Sequence, residues 1–120
     1  ETALRGADRD NLKRYAEANT QLPPPSATRP RVVFLGDSIT DGWRLKEYFP
    51  DQDFVNRGIS GQITGEMLGR MKADVADLKP VAMVFLGGTN DFARGVALTT
   101  IQNNITMIAE LASANRIKPI

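Results

Sequence analysis

The apolar positions of this chain fall into two kinds of run. Arg31–Gly36 (RVVFLG) and Val81–Leu86 (VAMVFL) are short, continuous and rich in β-branched residues. That pattern belongs to strands buried on both faces, as in a parallel sheet. Asp53–Asn56 (DFVN) is a weaker strand between them. Elsewhere the period lengthens. Ile63, Met67, Met71, Val75 and Leu78 recur at helical spacing over residues 62–79, and Ile101, Ile105, Ile108 and Ala112 do so over 99–114. Thr99-x-x-Gln102 supplies a capping box to start the second of these helices. Residues 8–19 (DRDNLKRYAEAN) predict a further short helix, with Asp8 as N-cap and Leu12, Tyr15 and Ala16 on one face.

Between that helix and the first strand lies QLPPPSATRP, residues 21–30, whose prolines force an extended connection. The chain therefore divides into an N-terminal helix with a Pro-rich linker, 1–30, and a sheet-containing domain, 31–120. Within the domain the order is strand, strand, helix, strand, helix, and Arg116–Ile120 (RIKPI) leads toward another strand. Such alternation predicts an α/β fold on a parallel sheet. Three strands and two covering helices leave a sheet edge and part of one face bare, so the domain reads as partial.

Fifteen basic and fourteen acidic residues leave a net charge of +1, and no basic cluster is interleaved with aromatics. Nucleic acid and anionic membrane surfaces are accordingly not expected partners. No apolar run approaches the roughly 18 residues of a membrane span. The absence of cysteine removes disulfides, thiolate catalysis and zinc–thiolate sites, and suits an exported or a cytoplasmic bacterial protein equally. The first residue is Glu1, which implies an upstream segment removed by processing or by choice of boundaries. The decisive count is histidine, of which there is none. Catalysis by general base then needs a carboxylate, a perturbed lysine, a metal or another chain.

Each predicted strand ends in an unusual loop. The first runs into Gly36-Asp37-Ser38-Ile39-Thr40-Asp41-Gly42, the second into Arg57-Gly58-Ile59-Ser60-Gly61-Gln62, the third into Gly87-Gly88-Thr89-Asn90-Asp91. In an open parallel sheet these loops converge at the carboxyl ends of the strands, where ligands bind. A serine at a strand end, with backbone N–H groups and an uncharged amide nearby, is the equipment of acyl transfer: a nucleophile and donors for the oxyanion. Plainer readings stand beside this one. Ser38 is also a suitable helix N-cap, Gly61 a turn residue and Asn90 an Asx-turn former. Asp37 and Asp91 read as loop-bracing groups, Met67 and Met71 as core filling, and Trp43 as a core residue or a pocket wall. Arg57 and Arg94 flank the expected mouth, either to meet a negative substrate or simply solvated.

Taken together, Gly36-Asp37-Ser38-Ile39-Thr40, Gly58-Ile59-Ser60-Gly61 and Gly87-Gly88-Thr89-Asn90-Asp91 resemble the successive motif blocks of GDSL-type esterases of the SGNH hydrolase superfamily. The resemblance covers about residues 31–115. It implies a flavodoxin-like three-layer α/β/α fold with a parallel sheet, no metal and no cofactor. It makes Ser38 the nucleophile, with Ser38 N–H, Gly61 N–H and the Asn90 side chain as oxyanion donors. There is no G-x-S-x-G elbow of the ordinary α/β-hydrolase kind. The family takes its aspartate and histidine from a DxxH block near the C-terminus, which this chain does not contain. Ile63 also departs from the small polar residue usual there.

Two functions follow as expectations. The first is a serine esterase cleaving small acyl esters, acetylated carbohydrate among them, since no extended apolar lid is visible. Its His/Asp pair would come from a complementing C-terminal segment. The second is a non-catalytic piece used in binding or assembly, either docked to that segment or paired with a second copy through the open sheet edge. Whether a histidine from elsewhere reaches Ser38 discriminates between them.

Overall fold

The computed structural model describes residues 8–120. Its central element is β1 (Arg31–Gly36), flanked by β2 (Asp53–Gly58) and β3 (Ala82–Leu86), with a short β4 (Lys118–Pro119) beyond β3. The strand order is β2-β1-β3-β4, all parallel. The helices, in chain order, are α1 (Lys13–Gln21), α2 (Ser38–Asp41), α3 (Leu45–Tyr48), α4 (Thr64–Leu68), α5 (Thr89–Ala93) and α6 (Leu98–Ala114). This is the expected α/β arrangement, with the RIKPI segment forming the fourth strand: Ile120 N–H donates to the Met83 carbonyl at 2.8 Å.

Successive strand residues point to opposite faces, which separates two environments. On one face Val33, Leu35 and Met83 are fully buried against Met67, Val75 and Ile108. On the other, Phe34 and Phe54 meet at 5.2 Å between ring centroids, and Phe34 meets Trp43 edge-on at 5.3 Å. Nearer β4 this second face thins out. Val84 is half-buried and Leu86 is 45% exposed. Met67 and Met71 are core residues as expected, but Trp43 is not: it keeps 40% of its surface exposed.

Three helix expectations need correction. The helix over 62–79 is broken. It runs as α4, then a π turn over Met71–Val75 and a 3₁₀ turn over Ala76–Leu78. The apolar residues still reach the core, but Gly69 ends α4 and Arg70 turns inward to a fully buried pair with Asp74 at 2.9 Å. Polar partners, invisible to a hydrophobic period, decide the path. The Thr99–Gln102 capping box does not form, because α6 already starts at Leu98 with Ala97 as its uncapped N-cap. Ile105, expected on the buried stripe, is 36% exposed.

In the N-terminal segment, Asp8 Oδ1 accepts from the Leu12 N–H at 2.7 Å, but Asp8 is not the expected N-cap. Leu12 holds that position, without a side-chain cap, and Asp8 braces the turn before the helix. Regular helix begins only at Lys13, after Asn11 takes a positive φ of 59°. The segment before Arg31 is attached to the sheet domain rather than trailing from it. Leu22 packs on the core cluster, and Arg31 donates to the Pro23 carbonyl at 2.6 Å.

Candidate active site

The sheet places the three loops at one end. Gly36 is in register with Gly58 of β2 and with Leu86 of β3, so the chain leaves all three strands level. Because β1 lies between its successors, the strand order reverses there, which is where an open parallel sheet forms a crevice. Gly58 makes the close approach possible. A methyl group on it would run into the Asp41 amide nitrogen and lie 2.7 Å from the Thr40 carbonyl carbon. The second loop thus lies directly against the helical turn that carries Ser38.

Ser38 is the first residue of α2 and is exposed. It is not the N-cap. Asp37, buried to 2%, holds that position and accepts from the Ile39 N–H at 3.1 Å. The capping role that competed with a functional reading of Ser38 therefore belongs to its neighbour. Gly61 has φ +83°, a left-handed conformation suited to glycine, and its carbonyl accepts from Arg94 at 2.6 Å. Asn90 lies in the first turn of α5, and its Nδ2 donates to the Gln62 carbonyl at 3.0 Å. The Asn90 amide thus ties the third loop to the second instead of closing a turn of its own. An amide nitrogen has two hydrogens, so this bond leaves one for another acceptor.

Asp91, fully buried, accepts from the Thr64 N–H at 2.9 Å and the Thr64 hydroxyl at 2.7 Å. It braces the third loop against α4. Of the two arginines expected at the mouth, Arg94 is exposed but Arg57 is not. Arg57 is 5% exposed, donates to Asn19 and to its neighbour's carbonyl, and stacks 4.6 Å from the Tyr15 ring centroid. Burial lowers its pKa. It is a structural cation.

Sequence reasoning missed the residues that hold these loops. Arg70, fully buried, donates from Nε to Gln62 Oε1 at 2.9 Å, and so fixes the residue whose carbonyl receives Asn90. Asn56 donates to the Thr40 carbonyl at 2.6 Å and accepts from the Gly58 N–H at 2.8 Å, joining β2 to the Ser38 turn. Asp41 does the same from the other side, accepting from the Ser60 N–H at 3.0 Å and from Arg14 at 2.9 Å. Asp41 and Asn56 sit in or beside the motif blocks and were findable there. Arg14 carries no signal, because its partner Asp41 lies 27 positions along the chain. Arg70, whose partners Gln62 and Asp74 are near in sequence, reads as an ordinary surface position of an unbroken helix.

An open cleft of about 390 Å³ lies beside the second loop, lined by Ser60, Gly61, Gln62 and Arg94 together with Arg9 and Lys13. A more apolar one of about 560 Å³, lined by Trp43, Leu45 and Phe54, lies along β2. Neither is lined by Ser38. Among the described residues, no group of three or more His, Cys, Asp or Glu side chains is placed to hold a metal ion.

A parallel sheet with a serine, a glycine and an asparagine on consecutive strand-end loops is the SGNH hydrolase fold. The chain belongs to the GDSL-like lipase/acylhydrolase family, whose model matches residues 34–120. A GDSL-like lipase from Bacteroides thetaiotaomicron superposes with a TM-score of 0.85 at 40% identity, covering 92% of this chain and 56% of that one. The esterase TesA of Pseudomonas aeruginosa is 34% identical over 101 residues, 72% of this chain and 50% of its own length. The uncharacterized lipoprotein YqeF of Bacillus subtilis is 32% identical over 111 residues, 74% of this chain and 46% of its own length. The chain thus spans about half the length of the curated relatives it matches. Among the described residues no helix is long and apolar enough to cross a membrane.

Proposed function

We propose that these residues form the nucleophile half of a serine esterase that cleaves small acyl esters, acetylated carbohydrate among them. Ser38 gives its proton to a base and attacks the ester carbonyl, the bond to the alcohol breaks and the alcohol leaves with that proton. Water then releases the acyl group from Ser38 as the free acid. The Ser38 and Gly61 N–H groups and the Asn90 amide receive the oxyanion. The observation that carries the reading is the exposed Ser38 on a turn capped by Asp37, with the Asn90 and Gly61 loops bound to each other beside it. The likeness to the esterase TesA supports the reaction class.

The serine needs a base, and the sequence contains no histidine. We assign that base, with its orienting aspartate, to a C-terminal segment outside these residues. The exposed Leu86 and Ile120 supply apolar surface for such a segment. Magnitude separates the two states. Losing the serine–histidine unit costs a serine hydrolase on the order of 10⁶ in kcat, leaving roughly 10³–10⁴ over water from oxyanion stabilisation and binding. The 120 residues by themselves are therefore nearly inactive, which keeps a binding or assembly role as the second reading for the isolated chain.

The test is hydrolysis of p-nitrophenyl acetate by the full-length polypeptide, with and without Ser38→Ala. Loss of turnover, together with a stable adduct of a serine-reactive phosphonate on Ser38, is the expected result. Turnover that survives Ser38→Ala would show that this serine is not the nucleophile.

A further inference from the structure

The glycine block is held from outside by the N-terminal segment, at every second residue. Tyr15 Oη donates to the Gly58 carbonyl at 2.6 Å, and Gln62 Nε2 donates to the Asp10 carbonyl at 2.8 Å. Between these two pins lies Ser60, which the segment reaches through Asp41. One Asp41 oxygen accepts from the Ser60 N–H at 3.0 Å and the Ser60 hydroxyl at 3.1 Å. Arg14 grips both oxygens of the same carboxylate, at 3.1 and 2.9 Å. Asp41 is also the last residue of α2, whose first residue is Ser38, and its own N–H is bound to the Asp37 carbonyl at 2.8 Å.

We propose that Asp41, oriented by Arg14, is a positioning residue for the oxyanion loop: it fastens the Ser60 amide to the helical turn of Ser38 and so fixes the adjacent Gly61 N–H relative to the nucleophile. This rests on the roles given to Ser38 and Gly61 above. An isolated exposed Arg–Asp pair does little for stability. Here the carboxylate accepts four hydrogen bonds, about its full capacity, and two of them come from the loop. The forked guanidinium fixes the plane of the carboxylate, which a lysine would not. Arg14 is itself placed by α1, where its guanidinium lies 4.6 Å from the Tyr15 ring centroid.

Asp41→Asn is the informative change. It preserves size, but it replaces one acceptor oxygen with an NH₂ that faces an Arg14 donor in either orientation, and the two Ser60 donors as well when it stands at the Oδ2 position. Arg14→Ala removes the orienting partner and leaves the loop contacts, and it serves as the second variant should Asp41→Asn fold poorly. Lys72→Ala, which breaks an exposed ion pair with Asp77 elsewhere on the surface, is the control.

The experiment has two arms. In the full-length polypeptide, amide hydrogen exchange followed by NMR should quicken roughly tenfold or more at Ser60, whose N–H Asp41 accepts, in both variants, with β1 and β3 amides unchanged, as local opening requires. Unchanged exchange at Ser60 overturns the proposal. An equal rise in the strand amides also overturns it, because that reports a general loss of stability. In the full-length polypeptide, kcat for a short ester should fall about 10- to 100-fold at unchanged KM, the scale of a misplaced catalytic group. The rates are normalised to the sites titrated by a serine-reactive phosphonate, and Arg14→Lys should lie between wild type and Arg14→Ala. A loss accounted for wholly by fewer titratable sites contradicts positioning. Absence of ester hydrolysis in the wild-type full-length polypeptide contradicts the esterase reading instead, and the exchange arm still decides whether Asp41 holds the loop.

Discussion

At the scale of single residues, the site is made of short contacts between groups that the sequence keeps far apart. Asn90 is the clearest case. Its amide bridges to the Gln62 carbonyl, and Arg70 holds Gln62 in turn from a fully buried position. The motif block identifies Asn90, while nothing in it announces Gln62 or Arg70. If Asn90 donates to the oxyanion, Asn90→Ala in the full-length polypeptide lowers kcat for a short ester by about 10²–10³ with little change in KM. Steady-state kinetics decide this, and an unaltered kcat would reduce Asn90 to a loop tie. Ser38 shows how local context settles an ambiguity. Serine and aspartate both cap helices well. Asp37 precedes the turn and takes the cap, which leaves the serine hydroxyl outside that duty.

At the scale of elements, the strands were legible and the helices only partly so. β1 and β3 follow from continuous apolar runs, because a strand buried on both faces needs little else. The helix over 62–79 was over-extended, since a hydrophobic period reports which residues face the core and not whether the backbone stays regular between them. α1 is legible as a helix, but its attachment is not, because Arg14 and Asn19 read as ordinary surface residues and the shared face of Leu12, Tyr15 and Ala16 does not say what it meets. Its attachment carries a pH dependence. The Arg14 hydrogen bonds hold the Asp41 carboxyl below its usual pKa, the Ser60 N–H adds to this, and partial burial opposes it. A carboxyl with a lowered pKa in the folded state favours folding above the ordinary carboxylate value of about 3.9. That contribution is lost as pH falls through the lower folded value. Urea midpoints measured from about pH 6 down to pH 2.5 should therefore converge for wild type and Asp41→Asn in acid and separate above about pH 4. Parallel curves throughout would show that Asp41 does not contribute in this way.

At the scale of the whole molecule, the sheet is well covered on the face that carries Val33 and Leu35 and thinly covered around Val84 and Leu86. Leu86 and Ile120, whose register puts them on that face, leave 45% and 65% of their surface exposed. A soluble monomer rarely leaves large contiguous apolar area bare. The proposal that a C-terminal segment covers this face and brings the base predicts that the 120 residues alone either capture that segment or self-associate. Light scattering with denaturing mass spectrometry separates the two outcomes. Restored esterase activity should accompany the first only, because two copies still contain no histidine. A monodisperse monomer without a second peptide would argue against both.

The sequence by itself determined the class of fold, the family and the candidate chemistry. Each of these is written locally, in an apolar run, a strand-ending glycine or a motif block such as Gly36-Asp37-Ser38. It also determined the missing base, since a count of zero histidines needs no structure. Only the tertiary structure decided what holds the loops to one another. The Tyr15–Gly58, Arg14–Asp41 and Asn19–Asp74 contacts join residues 43, 27 and 55 positions apart. Such pairings depend on how the strands come into register, and no local pattern encodes them. An arginine is ordinarily exposed. Arg57 is buried because the Asn19 amide oxygen reaches it from 38 positions away, and Arg70 because the break after α4 turns it inward onto Gln62 and Asp74, a path that no local apolar period encodes.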